Sequence, residues 1–287
     1  MNQTALFDRL PLTAIRPQNS PLANAEELGQ NGQPMVFDCP DIWQHDAPML
    51  DTIRREYGHL RCRDLAGTYG WVLRYEDREV FDALNIDTLG EFIELWQDDA
   101  QREMPYFRHL SIFRNLPQLA RYLVPPAQFR PNWVTHPMFD RIGGPELFFG
   151  QAGTGFGNVH IDHVGVHVGF YQFSGEKQFI LFPPEDAPCL YTYPGQEFPW
   201  QVRNSRITGP SINDLERWPL LKLTRPRTLV LKAGQAMFLP SNWWHTTLNL
   251  TDSVSYSIRI VNRSNAATTA RELLAGLPRL VTRRLAR

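Results

Sequence analysis

The stretch that most constrains this chain is GQAGTGFGNVHIDHVGVHVGFYQFSGEK, from Gly150 to Lys177, and within it His160-Ile161-Asp162. A glycine-dense loop runs into an alternating segment that reads as a strand. On a strand, side chains two residues apart point to the same face. His160 and Asp162 therefore aim one imidazole nitrogen and one carboxylate at a common point. A third ligand from a remote strand would complete a two-histidine, one-carboxylate face, which leaves positions open on Fe(II) for oxygen chemistry. His245, in the run PSNWWHTT from Pro240 to Thr247, offers that ligand. The plain alternative is a surface His-Asp pair with a core histidine far from it.

Two further features favour the metal reading. Lys177 opens the run KQFILF, where alternation places it on the face of Phe179 and Leu181. A lysine aimed into an apolar interior needs an anion, because burying its charge alone is costly; a small dicarboxylate would supply one. The run Ala233 to Pro240 then turns through Ser-Asn-Trp-Trp into His245, the route by which a barrel returns a distant ligand to its mouth.

The surrounding pattern predicts a mainly β fold. After Pro131, short runs at Glu146–Phe149, Asn158–His163, His167–Phe173, Lys177–Phe182, Thr228–Leu231, Ala236–Leu239 and Ser253–Val261 are separated by Gly, Pro and Asp, as in a sandwich or barrel. We expect three parts: a mixed, helix-weighted region over 1–130 that packs on the barrel; a β core over 131–264 with a long insertion at 183–227; and an amphipathic helical tail over 265–287. In the first part, helices are expected near Ala23–Leu28, over Pro48–Tyr57, after Thr88 with Glu91 completing a capping box, and over Asn115–Val124. Strands are expected at Pro34–Asp38, His59–Asp64 and Arg108–Phe113. Pro278 should kink or divide the tail, and its leucines predict a homodimer through this helix.

Charge and cysteines narrow the function. With 29 basic against 30 acidic residues, nothing points to nucleic acid or a membrane surface. The three cysteines fall in no paired pattern, which argues against disulfides or a thiolate zinc site. No signal peptide or membrane span is read, so a cytoplasmic location is expected.

From about Phe148 to Val261 the chain resembles the JmjC-type, cupin-like Fe(II)- and 2-oxoglutarate-dependent oxygenases, nearest to the small branch that holds the asparaginyl and lysyl protein hydroxylases. The resemblance rests on HID at 160–162, SGEKQFILFPPED at 174–186 and AGQAMFLPSNWWHTTLNL at 233–250, with weaker likeness in PMVFDCPDIW and TLGEFIELW upstream. It implies a double-stranded β-helix (jelly-roll) core, with O₂, Fe(II) and 2-oxoglutarate as reactants and cofactors. Iron ligands would be His160, Asp162 and His245. Lys177 would hold the distal carboxylate, assisted by Ser257 or Asn249. The implied reaction hydroxylates a C–H bond of a peptide, a protein or a small amino-acid-like molecule. The sequence departs from the family at Gly157, where many members carry a cosubstrate-binding threonine; either Thr154 or Asn158 substitutes, or the cosubstrate is held differently. Arg259, on the face of Ser255 and Ser257, is the rival anchor for the distal carboxylate. His163 and His167, spaced as a helical zinc pair but set among glycines and valines, are read as mouth-lining or substrate-contacting residues, and His136 as structural. Aromatic candidates for the cavity wall are Trp133, Phe148, Phe149, Phe156, Tyr171 and Trp244. Rival classes are another metal-dependent cupin enzyme, such as an isomerase or a cosubstrate-free dioxygenase, and a non-catalytic binding cupin.

Overall fold

Alternation along the strands after residue 145 is satisfied by two sheets packed face to face. The structure is a computed structural model and describes residues 10–17, 24–67, 70–71, 83–98, 103–193 and 203–285. Its strands are β1 (Thr13–Ala14), β2 (Met35–Asp38), β3 (Ala66–Gly67), β4 (Gly70–Trp71), β5 (Phe107–Ser111), β6 (Glu146–Gly150), β7 (Asn158–Ile161), β8 (His167–Ser174), β9 (Glu176–Phe182), β10 (Arg203–Thr208), β11 (Arg227–Lys232), β12 (Gln235–Leu239), β13 (Trp244–Asn249) and β14 (Ser253–Ile260). One sheet has six strands in the order β1-β11-β9-β13-β7-β10, and the other eight in the order β2-β12-β8-β14-β6-β5-β3-β4. At their centres β11-β9-β13-β7 faces β12-β8-β14-β6, the jelly-roll core that the family resemblance implied. These central pairs are all antiparallel.

Three apolar layers hold the sheets. Between them, Phe179, Leu181 and Leu229 meet Val36, Val168 and Met237. The outer face of the larger sheet buries Leu147, Phe149, Phe238 and Tyr256 under Leu28, Ile53 and Phe92 from the N-terminal helices. The outer face of the smaller sheet buries Val159, Ile180 and Phe182 under Leu190, Ile212, Trp218 and Leu221. Those last four lie in the 183–227 insertion, so this segment is a cover for the barrel and even contributes β10 to it. The N-terminal part likewise adds β2 and β5 to the larger sheet.

Local signals in the first part hold in some places and fail in others. The helix Leu89–Gln97 begins with the expected Thr88–Glu91 capping box. His59–Asp64 is no strand: Cys62–Asp64 is a 3-10 turn, and only Arg61 makes a bridge, to Thr88. Asn115–Val124 shrinks to the 3-10 turn Pro117–Arg121, because Leu116 leaves helical backbone (φ −131°) before Pro117. The tail is a single helix, Ala266–Leu285, with Pro278 inside it. Proline removes the hydrogen bond to the carbonyl four residues back, and that residue, Leu274, is exposed, so water can take the place of the donor. Ala266 and Leu273 pack back onto the inner core. The homodimer expected from the later leucines depends on side chains from residue 276 onward, which lie outside the described residues. No described helix is long and apolar enough to cross a membrane.

The corner that carries the chain from β8 in one sheet to β9 in the other turns at Gly175, where φ is +74° and an added Cβ would sit 2.1 Å from the carbonyl oxygen of Asp252. Gly175→Ala is therefore expected to cost more than about 1 kcal/mol, visible as a lowered urea midpoint. An unchanged midpoint would mean that the corner accommodates a Cβ and does not constrain the fold.

Candidate metal centre and cavity

The centre is built from a cross-strand pair. His245 on β13 lies directly opposite His160 on β7, and their ring centroids are 4.2 Å apart. Asp162 follows the end of β7 in extended backbone (φ −63°, ψ 152°), so alternation carries its carboxylate to the same side. One ligand atom from each of the three falls within 4.8 Å of the others, and His245 Nε2 stands 3.7 Å from Asp162 Oδ2. Each imidazole faces a backbone carbonyl with Nδ1: His160 to Asn158 O at 3.1 Å and His245 to Trp243 O at 3.4 Å. A carbonyl only accepts, so Nδ1 carries the proton and Nε2 offers its lone pair inward, the arrangement that orients metal-binding histidines. Burial, and then the neighbouring His245, push the His160 pKa down to about 3. Burial also lowers that of His245, against the pull of Asp162. Both rings are thus held neutral, as a ligand requires.

One cavity contains this triad and extends inward past Phe148, Phe170 and Phe179 to Lys177. Lys177 is buried, its ammonium 5.5 Å from the Phe148 ring centroid and 5.9 Å from that of Tyr106. Among the described residues it has no ion-pair partner, and burial lowers its pKa to about 7. Arg259 lines the same cavity but is tied to Glu146 by a short buried ion pair. Glu146 also accepts from His109 Nδ1 at 3.0 Å.

Of the remaining predicted residues, Ser257 lines the cavity, whereas Thr154, Asn158 and Asn249 do not. The glycine loop is pinned along β13, with Asn249 N–H donating to the Thr154 carbonyl and Phe156 N–H to that of Thr247. In this packing the Asn249 amide donates to Thr154 Oγ1, and Thr154 Oγ1 donates to the Gln151 carbonyl. Asn158 Nδ2 is spent on the Ser205 carbonyl. Gly157 has open space where a Cβ would be.

His167 is not at the mouth. It is buried, with Nδ1 accepting from the Ser241 N–H at 2.9 Å and Nε2 2.9 Å from Ser264 Oγ. It locks the corner that leads to His245. The side chain of His163 lies outside the described residues. His136 caps a 3-10 turn, as expected of a structural residue. Of the predicted wall aromatics, Phe148 and Phe156 line the cavity; Phe149 and Tyr171 belong to the outer core, Trp244 to the core under the insertion, and Trp133 is exposed. Sequence reading missed Tyr106, His109, Phe170 and Thr247 in the lining. Thr247 was within reach, being two residues beyond His245 on one strand.

A histidine whose folded pKa lies below its unfolded value binds fewer protons when folded, so its stabilising share is complete above the unfolded pKa and fades as pH falls toward the folded one. Burial holds His167 at about 4 against a usual 6.5. The metal-free protein should therefore lose stability from pH 6.5 down to about 4, on the order of 3 kcal/mol through His167. Urea unfolding of wild type and His167→Asn checks this: the variant should have the shallower slope, and parallel slopes would remove His167 from the account.

The profile of the "Cupin-like domain" family matches residues 25–261. The chain is 36% identical over 100 residues to HSPB1-associated protein 1 of Rattus norvegicus, covering 34% of this chain and 20% of that protein. It is 27% identical over 178 residues to arginine-specific demethylase JMJ22 of Arabidopsis thaliana, covering 59% and 34%. To the 2-oxoglutarate and iron-dependent oxygenase JMJD4 of Homo sapiens it is 26% identical over 190 residues, covering 63% and 43%. The matches thus span between 20% and 43% of these curated relatives.

Proposed function

The chain belongs to the cupin-like domain family, and on that premise we propose that it is an Fe(II)- and 2-oxoglutarate-dependent dioxygenase that hydroxylates an unactivated C–H bond. The observation that carries this reading is one cavity holding both a His160–Asp162–His245 donor set and a buried Lys177 that has no protein anion among the described residues. The donor set fits a divalent first-row metal, with two neutral nitrogens and one carboxylate on a single side. Lys177 fits a carboxylate, since its burial is otherwise uncompensated.

Bound there, Fe(II) with 2-oxoglutarate and O₂ supplies the oxidising power for hydroxylation, the 2-oxo acid leaving as succinate and carbon dioxide. The protein's share is to hold and to exclude. His160 and His245 offer Nε2, and Asp162 one carboxylate oxygen. Lys177 pairs with the distal carboxylate, and Thr247 and Ser257 have hydroxyls on the same lining. Phe148, Phe170 and Phe179 keep water from the reacting atoms. Arg259 is the weaker anchor because Glu146 already neutralises it.

The acceptor of the hydroxyl is proposed to be an amino-acid side chain in a peptide or protein, or a small amino-acid-like molecule. JMJ22, an arginine-specific demethylase, supports that acceptor class, and JMJD4, a 2-oxoglutarate and iron-dependent oxygenase, supports the reaction type. A cosubstrate-free cupin enzyme would leave Lys177 without a purpose, and a binding-only cupin would have no use for the complete donor set.

Succinate formation as a function of 2-oxoglutarate concentration tests the reading. Lys177→Met should weaken 2-oxoglutarate binding by about 2–5 kcal/mol and raise the concentration required accordingly, the usual loss when one partner of a buried charged pair is removed, and Arg259→Met should do so by less. His160→Ala, Asp162→Ala and His245→Ala should each abolish turnover. Succinate production that survives the three ligand variants would sink the proposal; a larger effect at Arg259 would move the anchor there.

A further inference from the structure

A distortion in β5 places a second polar system in the same cavity. Phe107 pairs with Phe149 and Leu110 with Leu147, so three steps on β5 match two on β6. The extra residue makes a β-bulge, and His109 within it has φ +60°. Strict alternation would put Phe107 and Leu110 on opposite faces. The bulge lets both enter the outer core and turns Arg108 and His109 toward the cavity side. Arg108 lies over the Phe156 and Tyr106 rings at 5.7 and 5.1 Å, and His109 lines the cavity itself. Bulges beside active sites re-aim side chains, and a non-glycine residue at positive φ is a pointer to function when its surroundings hold it there.

The surroundings of His109 are specific. Its ring meets Phe148 edge-on at 5.0 Å and Phe156 at 5.7 Å, and Phe156 in turn stacks on His160 at 4.0 Å. Behind it stands Glu146, fully buried and paired with Arg259. A carboxylate only accepts, so the 3.0 Å bond is donated by His109 Nδ1. In the neutral ring this fixes Nε2 as the accepting nitrogen. Glu146 and Arg259 thus set the tautomer and orientation of an imidazole on the metal side of the cavity.

We propose that His109 is the substrate-orienting residue of this site, accepting through Nε2 a hydrogen bond from an N–H donor on the side chain to be hydroxylated, a guanidinium or a carboxamide. The proposal rests on the oxygenase reading above and adds to it the group that recognises substrate. Glu146 and Arg259 are positioning residues that act through His109.

The test loads the full chain with Zn(II) and 2-oxoglutarate, labels its histidines with ¹⁵N, and titrates the N-acetyl dimethylamides of arginine, of asparagine and, as the control whose side chain has no N–H donor, of leucine. His109 is expected as the Nδ1–H tautomer, and one donor arm should shift its Nε2 resonance while the leucine control does not. His109→Gly adopts φ +60° without strain. It should bind that arm about tenfold or more weakly, as for one lost hydrogen bond in a closed site, and bind 2-oxoglutarate as wild type does. His109→Asn, which also tolerates this backbone, should recover part of the loss. Silence of Nε2 toward both donor arms, equal binding of the leucine control, or loss of 2-oxoglutarate affinity in His109→Gly would each overturn the assignment. Failure of wild type to bind 2-oxoglutarate would overturn the oxygenase reading and the assignment with it.

Discussion

The site depends on one register. His160 and His245 face each other across the β7–β13 ladder, and Asp162 reaches the same point only because it is two residues beyond His160. A slip of a single residue would send each of these side chains to the opposite face. Both faces of the smaller sheet forbid that slip. Phe179, Leu181 and Leu229 belong to the inner core, whereas Val159, Ile180 and Phe182 belong to the core under the insertion. The three candidate donors are thus fixed by apolar packing elsewhere, and the insertion at 183–227 covers the sheet that carries His160 and His245.

Two buried cations share the cavity, and their different partners divide the labour. Arg259 pairs through its guanidinium with Glu146, and the same carboxylate accepts from His109 Nδ1. Lys177 has aromatic faces near it and no anion among the described residues, which is why the proposed function gives it the carboxylate. The lowered pKa of Lys177 has this physical cause, desolvation without compensation. A carboxylate placed beside it would remove the penalty and gain a charge-assisted hydrogen bond at once.

Features that depend on period and spacing were readable in the sequence. The i, i+2 relation put His160 with Asp162 and Lys177 with Phe179, and the turn before His245 brought it to the same cluster. What escaped depends on contacts between remote segments. His109 looks like any strand residue, because a bulge and a positive φ leave no mark in Arg108-His109-Leu110. His167 was misread for a related reason: its partners, Ser241 and Ser264, are 74 and 97 residues away. Thr154 and Asn158 seemed available beside Gly157, yet backbone groups of neighbouring strands and loops had first claim on them. A 3-10 turn replaced the expected strand at Cys62–Asp64, beside which Arg61 makes an isolated bridge, and the expected helix gave way at Pro117, before which Leu116 leaves helical backbone.

Metal-gated cosubstrate binding is the most direct test of the account. Calorimetric titration of 2-oxoglutarate into the protein, with and without stoichiometric Mn(II), measures whether the His160–Asp162–His245 centre and Lys177 act on one ligand. Binding should be much tighter when the metal is present and weak without it, since the triad and the lysine would hold opposite ends of the same molecule. Equal affinity in the two titrations would contradict it.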